Sequence, residues 1–142
     1  MIEFTRDVRP SMALDLHPHD AQKNQAPLTP TMLFMFIANG EAWAVRLNGK
    51  LVAIGGHTPV WKGRTVLWGF LGEDSGPAMM AMTREVKKQL VRLQVDFERI
   101  EAYTERHHKE GHRWLRLLGF KHEGIMRKFY NGVDHSMYGK VI

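Results

Sequence analysis

A mixed α/β layered domain is what the 142-residue sequence predicts, on three observations. Glu41–Leu47 alternates with period two, and an Asn-Gly pair, Asn48-Gly49, turns it into a return strand. A second Asn-Gly, Asn131-Gly132, joins two more strands near the C-terminus. Between the hairpins, Met79, Met82, Val86, Leu90, Leu93 and Phe97 recur at three- and four-residue spacing, the apolar stripe of a long helix.

In chain order, Ile2–Thr5 reads as a first strand. Pro10, Pro18 and Pro27 break the stretch that follows, and His17, His19 and Asp20 make it polar; short helical turns are expected around Ser11–Leu16 and Pro18–Gln22. Pro30–Asn39 is dense in apolar residues and predicts a buried helix, capped by Thr29 or Thr31 and stopped by Gly40. In Glu41–Leu47, Ala42, Ala44 and Arg46 face one way and Trp43, Val45 and Leu47 the other. Leu51–Thr58 returns, with Gly55-Gly56 either a bulge or a site of close approach. Trp61–Arg64 turns again into a third strand, Thr65–Leu71.

The segment Gly72–Ala78 opens the long helix, with Pro77 in its first turn and Ser75 or Gly76 as cap. Arg99–Thr104 is the next strand, and Glu105–Glu110 leads to a short helix. There Trp114, Leu117 and Leu118 make one face, and Gly111, Leu115 and Leu118 an adjoining row. Gly119 ends that helix, since glycine enters the left-handed C′ conformation cheaply, and Phe120 can fold back on the last turn. Strands Phe120–Phe129 and Asp134–Val141 close the chain, which reads as one domain over residues 1–142 without linker or repeat.

Composition narrows the function. Hydrophobic residues are 44% and charged residues 25%, as in soluble globular proteins, and no apolar run approaches the roughly 20 residues of a membrane span. The opening MIEFTRDV lacks the basic start and apolar stretch of a signal peptide. Absence of cysteine excludes disulfides, thiolate metal sites and a cysteine nucleophile, and fits a cytoplasmic setting. A net charge of +5 favours anionic partners, a phosphate-bearing cofactor or nucleic acid. The cations are spread without a run of five or an aromatic-interleaved signature, which argues against nucleic acid. His107, His108 and His112 cluster, but His-Lys-Glu-Gly-His is not the HExxH of zinc peptidases and no third ligand is evident; no metal is predicted.

The run RWLRLLGFKHEG, with E-G-x-x-R (Glu123 to Arg127) and a hairpin bearing Asp and Tyr, resembles the C-terminal half of GNAT-family acetyltransferases. It is especially similar to small GNAT-like proteins of tailed phages, some of them internal virion proteins. The resemblance implies a mixed, mostly antiparallel central sheet flanked by helices, and acetyl-CoA as co-substrate. An amine acceptor would attack the thioester directly. The pantetheine arm would pair with Trp68, Gly69, Phe70 and Leu71. The pyrophosphate would sit on the turn of Ser75, Gly76, Ala78 and Met79, at a helix start, with His108 able to bond pantetheine or phosphate.

Candidate catalytic groups are Glu73 as base, with His57 a possible partner, and Tyr130, His108 or Tyr103 as acid, because Leu115 stands at the family's tyrosine position. The phosphate turn departs from the family: Glu73 and Asp74 lead it, one glycine remains, and Pro77 deletes an amide donor. An ordinary acid-rich helix start is the alternative for that turn. Two functions follow from the resemblance: an acetyl-CoA-dependent N-acyltransferase, or a degraded GNAT-fold protein with a structural or interaction role, as in a phage particle. Protein partners or a homodimer stay open, in a host cytoplasm or a virion.

Overall fold

The computed structural model describes the backbone of residues 1–142 and every side chain except that of Ala21. Its strands are β1 (Ile2–Thr5), β2 (Glu41–Leu47), β3 (Lys50–Trp61), β4 (Arg64–Leu71), β5 (Arg99–Glu105), β6 (Lys121–Tyr130) and β7 (Val133–Val141). They form a seven-stranded sheet in the order β1-β2-β3-β4-β5-β7-β6. Every neighbouring pair is antiparallel except β4–β5, which is parallel. The helices are α1 (Pro30–Ala38), α2 (Met79–Leu93) and α3 (Lys109–Leu117). This is the mixed, mostly antiparallel layered sheet that the sequence predicts.

The local signals explain the elements. Asn48 and Gly49 take φ of 51° and 85°, and Asn131 and Gly132 take 49° and 74°, so both hairpins turn where the Asn-Gly pairs stand. The Thr29 hydroxyl accepts from the Met32 N–H at 3.1 Å and caps α1. At the end of α3, Gly119 has φ 95°, its N–H bonds Arg116 O, and the Phe120 N–H bonds Leu115 O, the two bonds of a Schellman stop.

Alternation along the strands splits the core between the two faces. On one, α2 and α3 bury Leu67, Leu90, Ile100, Leu115, Phe120 and Tyr138. On the other, α1 and the 3-10 turn Pro10–Leu14 bury Met12, Leu16, Leu33, Ala44 and Ile54, with Trp68 and Phe70 packed alongside. Side chains of Leu67 and Trp68, adjacent in β4, thus serve opposite layers.

Several expectations are corrected. Helix α1 is not buried: Leu33 is enclosed, but Phe34 and Met35 are 58% and 53% exposed, because the helix is apolar all round and only one side meets the sheet. In α3 the core row is Leu115 and Leu118; Leu117 is 57% exposed. Gly55-Gly56 carries no bulge, since Trp43 pairs with Gly55 and Ala42 with Gly56 in unbroken register. The glycine there answers to close approach instead: a Cβ on Gly56 would lie 2.0 Å from Glu41 O and 2.6 Å from the Trp68 ring. The turn before α2 is a 3-10 turn, Gly76–Ala78, and Ser75 precedes it without a side-chain cap bond.

Candidate functional site: a fork between β4 and β5

Strands β4 and β5 pair only through Arg64 with Arg99, Thr65 with Ile100, and Val66 with Glu101. Beyond that point β4 stays with β3 as far as Leu71, while β5 stays with β7 as far as Glu105. The sheet therefore parts into two halves that diverge as a fork.

The closed end is locked by charge. Arg64 holds the Glu101 carboxylate through two bonds of 2.6 and 2.9 Å, and Arg99 Nε adds a third at 2.7 Å. The Tyr103 hydroxyl donates a fourth at 2.8 Å, and Arg99 reaches on to Glu123. Glu101 is 2% exposed. The Arg64 bonds, with those of Arg99 and Tyr103, outweigh burial and hold its carboxyl at about 2, while burial and Glu101 push the Tyr103 phenol up. Trp61 covers Arg64 at 4.4 Å.

The open end begins at Leu67. No atom lies within 4 Å of the place a Cβ would take on Gly69, so this part of β4 floors an empty space. The edge of the strand is covered by the segment before α1. The Leu71 N–H donates to Gln22 Oε1 at 2.7 Å, Gly69 O accepts from Gln25 Nε2 at 3.0 Å, and Leu71 O accepts from the His19 N–H at 3.0 Å. Pro18 forms an antiparallel bridge with Gly72.

The turn into α2 spends most of its own amides. Gly72 N bonds Val52 O, Glu73 N bonds His17 O, Ser75 N bonds Gly72 O, Ala78 N bonds Ser75 O, and Met79 N bonds Gly76 O. Gly76 stands at the first position of the 3-10 turn, open to space on the side a Cβ would take. Ser75 and Ala78 are buried. Asp74 pairs with Lys50 at the start of β3, and Glu73 also acts on that ammonium.

Of the other predicted residues, Trp68 and Phe70 point into the α1 layer; Trp68 stacks on Phe36 at 4.3 Å, and its buried indole N–H has no partner among the described residues. His108 stands before α3 at the mouth of the fork, with Nδ1 3.3 Å from Thr104 Oγ1. Burial pushes its imidazole down; Glu110 and Glu105 oppose this, and His112 and His19 add to it. Gly111 permits the packing of His108 against Thr104, since a Cβ there would meet Thr104 Oγ1 at 2.3 Å and His108 Nδ1 at 2.5 Å. Tyr130 is at the tip of the β6–β7 hairpin, separated from β5 by β7.

Leu115 is 6% exposed in the core. His57 is buried, with the Thr65 hydroxyl on Nδ1 and Nε2–H donated to Glu41. His112 is engaged on both sides, by the Tyr138 hydroxyl at 2.6 Å and by the Arg106 carbonyl at 2.7 Å. Among the described residues no three histidines or acids are grouped to hold a metal ion.

Beside the fork mouth, Arg106, Lys109, His112, Arg113 and Arg116 line a basic groove of about 510 Å³. Sequence reasoning missed Glu101, Gln22 and Gln25. The alternation of Arg99–Thr104 puts Glu101 beside Arg99 and Tyr103 on one face, but its partner Arg64 is known only from the parallel register.

No family model matches the sequence, and no curated protein matches it. Solved structures match it along its whole length. An acetyltransferase of the GNAT family from Streptococcus pneumoniae is 14% identical, covers 100% of both chains, and superposes with a TM-score of 0.72. A ribosomal-protein-alanine N-acetyltransferase from Brucella melitensis is 11% identical over 100% of this chain and 99% of the other, at 0.74. The microcin C7 self-immunity acetyltransferase MccE, solved with acetyl-CoA and AMP, is 18% identical over 78% of this chain and 66% of its own, at 0.63. The protein has the fold of the GNAT acetyltransferases.

Proposed function

We propose that the protein is an acetyl-CoA-dependent N-acetyltransferase whose cofactor lies in the β4–β5 fork. The observation that carries this is the parting of the two strands after Val66 and Glu101, with open space over Gly69. An extended amide chain needs a strand edge that no other strand of the sheet takes, and Trp68–Leu71 has one on the side away from β3, where Gln22, Gln25 and His19 now hold Gly69 and Leu71. The basic groove of Arg106, Lys109, Arg113 and Arg116 suits the cofactor's phosphates, together with Gly76 at the start of α2, whose neighbours Ser75, Ala78 and Met79 give their own N–H groups to local carbonyls. Likeness to acetyltransferase structures, one of them holding acetyl-CoA, supports the same reading.

In this reading a neutral amine attacks the thioester carbonyl carbon, the C–S bond breaks, and coenzyme A leaves as thiolate. His108 takes the proton released from the nitrogen. Burial favours its neutral form; Nδ1 lies against the Thr104 hydroxyl and Nε2 is 3.9 Å from Glu110, and the ring nitrogen that carries no proton is the base. Tyr130, at the tip of the β6–β7 hairpin, takes no part in this reading, and Glu73 is the alternative base.

The turn amides spent on local bonds favour a second reading, a GNAT-fold protein retained for structure or interaction, in a phage particle by the sequence resemblance. Titrating acetyl-CoA while following the melting temperature separates them. A cofactor at 100 times its Kd adds about 2.7 kcal/mol of stability, and no shift at millimolar acetyl-CoA leaves only the second reading.

A further inference from the structure

The segment His17–Gln25 lies on the very strand edge assigned above to the cofactor. His17–His19 does so through a single antiparallel bridge, and Asp20–Gln22 then coils as a 3-10 turn, where the sequence predicts a helical turn. Glu73 N–H donates to His17 O at 2.8 Å and His19 N–H to Leu71 O at 3.0 Å, flanking the Pro18–Gly72 bridge. Pro18 occupies the one place in that ladder that needs no N–H. Farther down the edge the backbone leaves and side-chain amides take over, Gln22 accepting from Leu71 and Gln25 donating to Gly69. A carboxamide oxygen on one N–H and a carboxamide N–H on one carbonyl are the groups that the amides of pantetheine would present.

Among the described residues the segment buries little apolar surface. Leu16 on its N-terminal side is buried, and Leu28 on its C-terminal side packs into the same cluster. Between them His17, Pro18, His19, Asp20, Lys23 and Asn24 are exposed. A stretch anchored at both ends and bound by hydrogen bonds with almost no apolar burial opens at low cost.

We infer that His17–Gln25 is a built-in strap that competes with the amide arm of coenzyme A for Gly69 and Leu71. The cofactor enters only when the strap lifts, so the protein as folded holds its own site shut. This rests on the fork being the cofactor site. Its consequence is that the apparent affinity for coenzyme A is the intrinsic affinity reduced by the fraction of molecules with the strap raised.

The test is calorimetric titration of coenzyme A into the wild-type protein and into the double variant Gln22→Ala, Gln25→Ala, with circular dichroism to confirm the fold. Losing two bonds from the closed state should tighten coenzyme A binding about tenfold. Equal or weaker binding by the folded variant overturns the strap while leaving the fork as the cofactor site. Binding by neither protein overturns both. A second readout is tryptic cleavage after Lys23 in the wild-type protein. Coenzyme A should speed it, against the protection that a ligand ordinarily confers, and slower or unchanged cleavage contradicts displacement.

Discussion

The two ends of the β4–β5 junction are built from opposite materials. At the closed end a buried carboxylate, Glu101, is bonded by Arg64, Arg99 and Tyr103, and the strands stay paired. At the open end β4 presents a glycine with nothing above it, and neutral amides from another part of the chain cover its edge. Buried charges resist removal because an abandoned partner is left without solvent or counter-charge. Neutral amide bonds are exchanged for equivalent bonds at little cost. The fork thus has a fixed hinge and a removable cover, and the difference separates what sets the angle of the strands from what admits a ligand.

Breaking the closed end should have the largest effect. Glu101→Ala leaves Arg64, Arg99 and Tyr103 without their common acceptor and should cost about 3 kcal/mol in urea unfolding. The same end should fail in acid. Glu101 and Glu41 are each held at about 2 against an ordinary 4.5; burial raises Glu41, and bonds from Trp43, Arg92 and His57 overcome it. Their contribution is whole above about pH 4.5. It is lost as pH falls toward 2, because the unfolded chain binds protons that the folded chain refuses. A melting temperature that stays level from pH 5 to pH 2.5 would contradict this.

Changes at the open end should spare the fold and strike the ligand. Gly69→Leu fills empty space and should move stability by no more than about 0.5 kcal/mol while abolishing the melting shift with acetyl-CoA. His108→Ala should lower kcat about a hundredfold. The smallest effect is expected from Gly76→Glu, which sets a carboxylate beside the start of α2 with no steric conflict. Coenzyme A affinity should fall about tenfold, and the loss should shrink at high salt.

Much of the frame was legible. Both Asn-Gly turns, the Thr29 cap, the Gly119 stop and the stripe of α2 are signals carried within a few residues. Errors arose where a tertiary neighbour decides. Helix α1 has apolar residues on every side, so no stripe says which of them the sheet will take. Trp114 and Leu115 both belong to apolar rows of α3, and contact with β5 and β7 chooses Leu115. The strap was the least legible element. Pro18, His19, Gln22 and Gln25 carry no period, and their bonds to Gly69, Leu71 and Gly72 span about fifty positions of chain. The sequence named the strand edge Trp68–Leu71 as well as the turn of Ser75, Gly76, Ala78 and Met79, and in that turn the structure gives the Ser75, Ala78 and Met79 N–H groups to local carbonyls.

The central claim is that the edge of β4 at Gly69 and Leu71 receives the amide arm of coenzyme A. An amide NMR titration tests it most directly. The account predicts that coenzyme A moves the Gly69, Phe70 and Leu71 resonances most, together with those of His19, Gln22 and Gln25 as they leave the strand. Shifts confined to the basic groove of α3, with the Gly69–Leu71 amides unmoved, would contradict it.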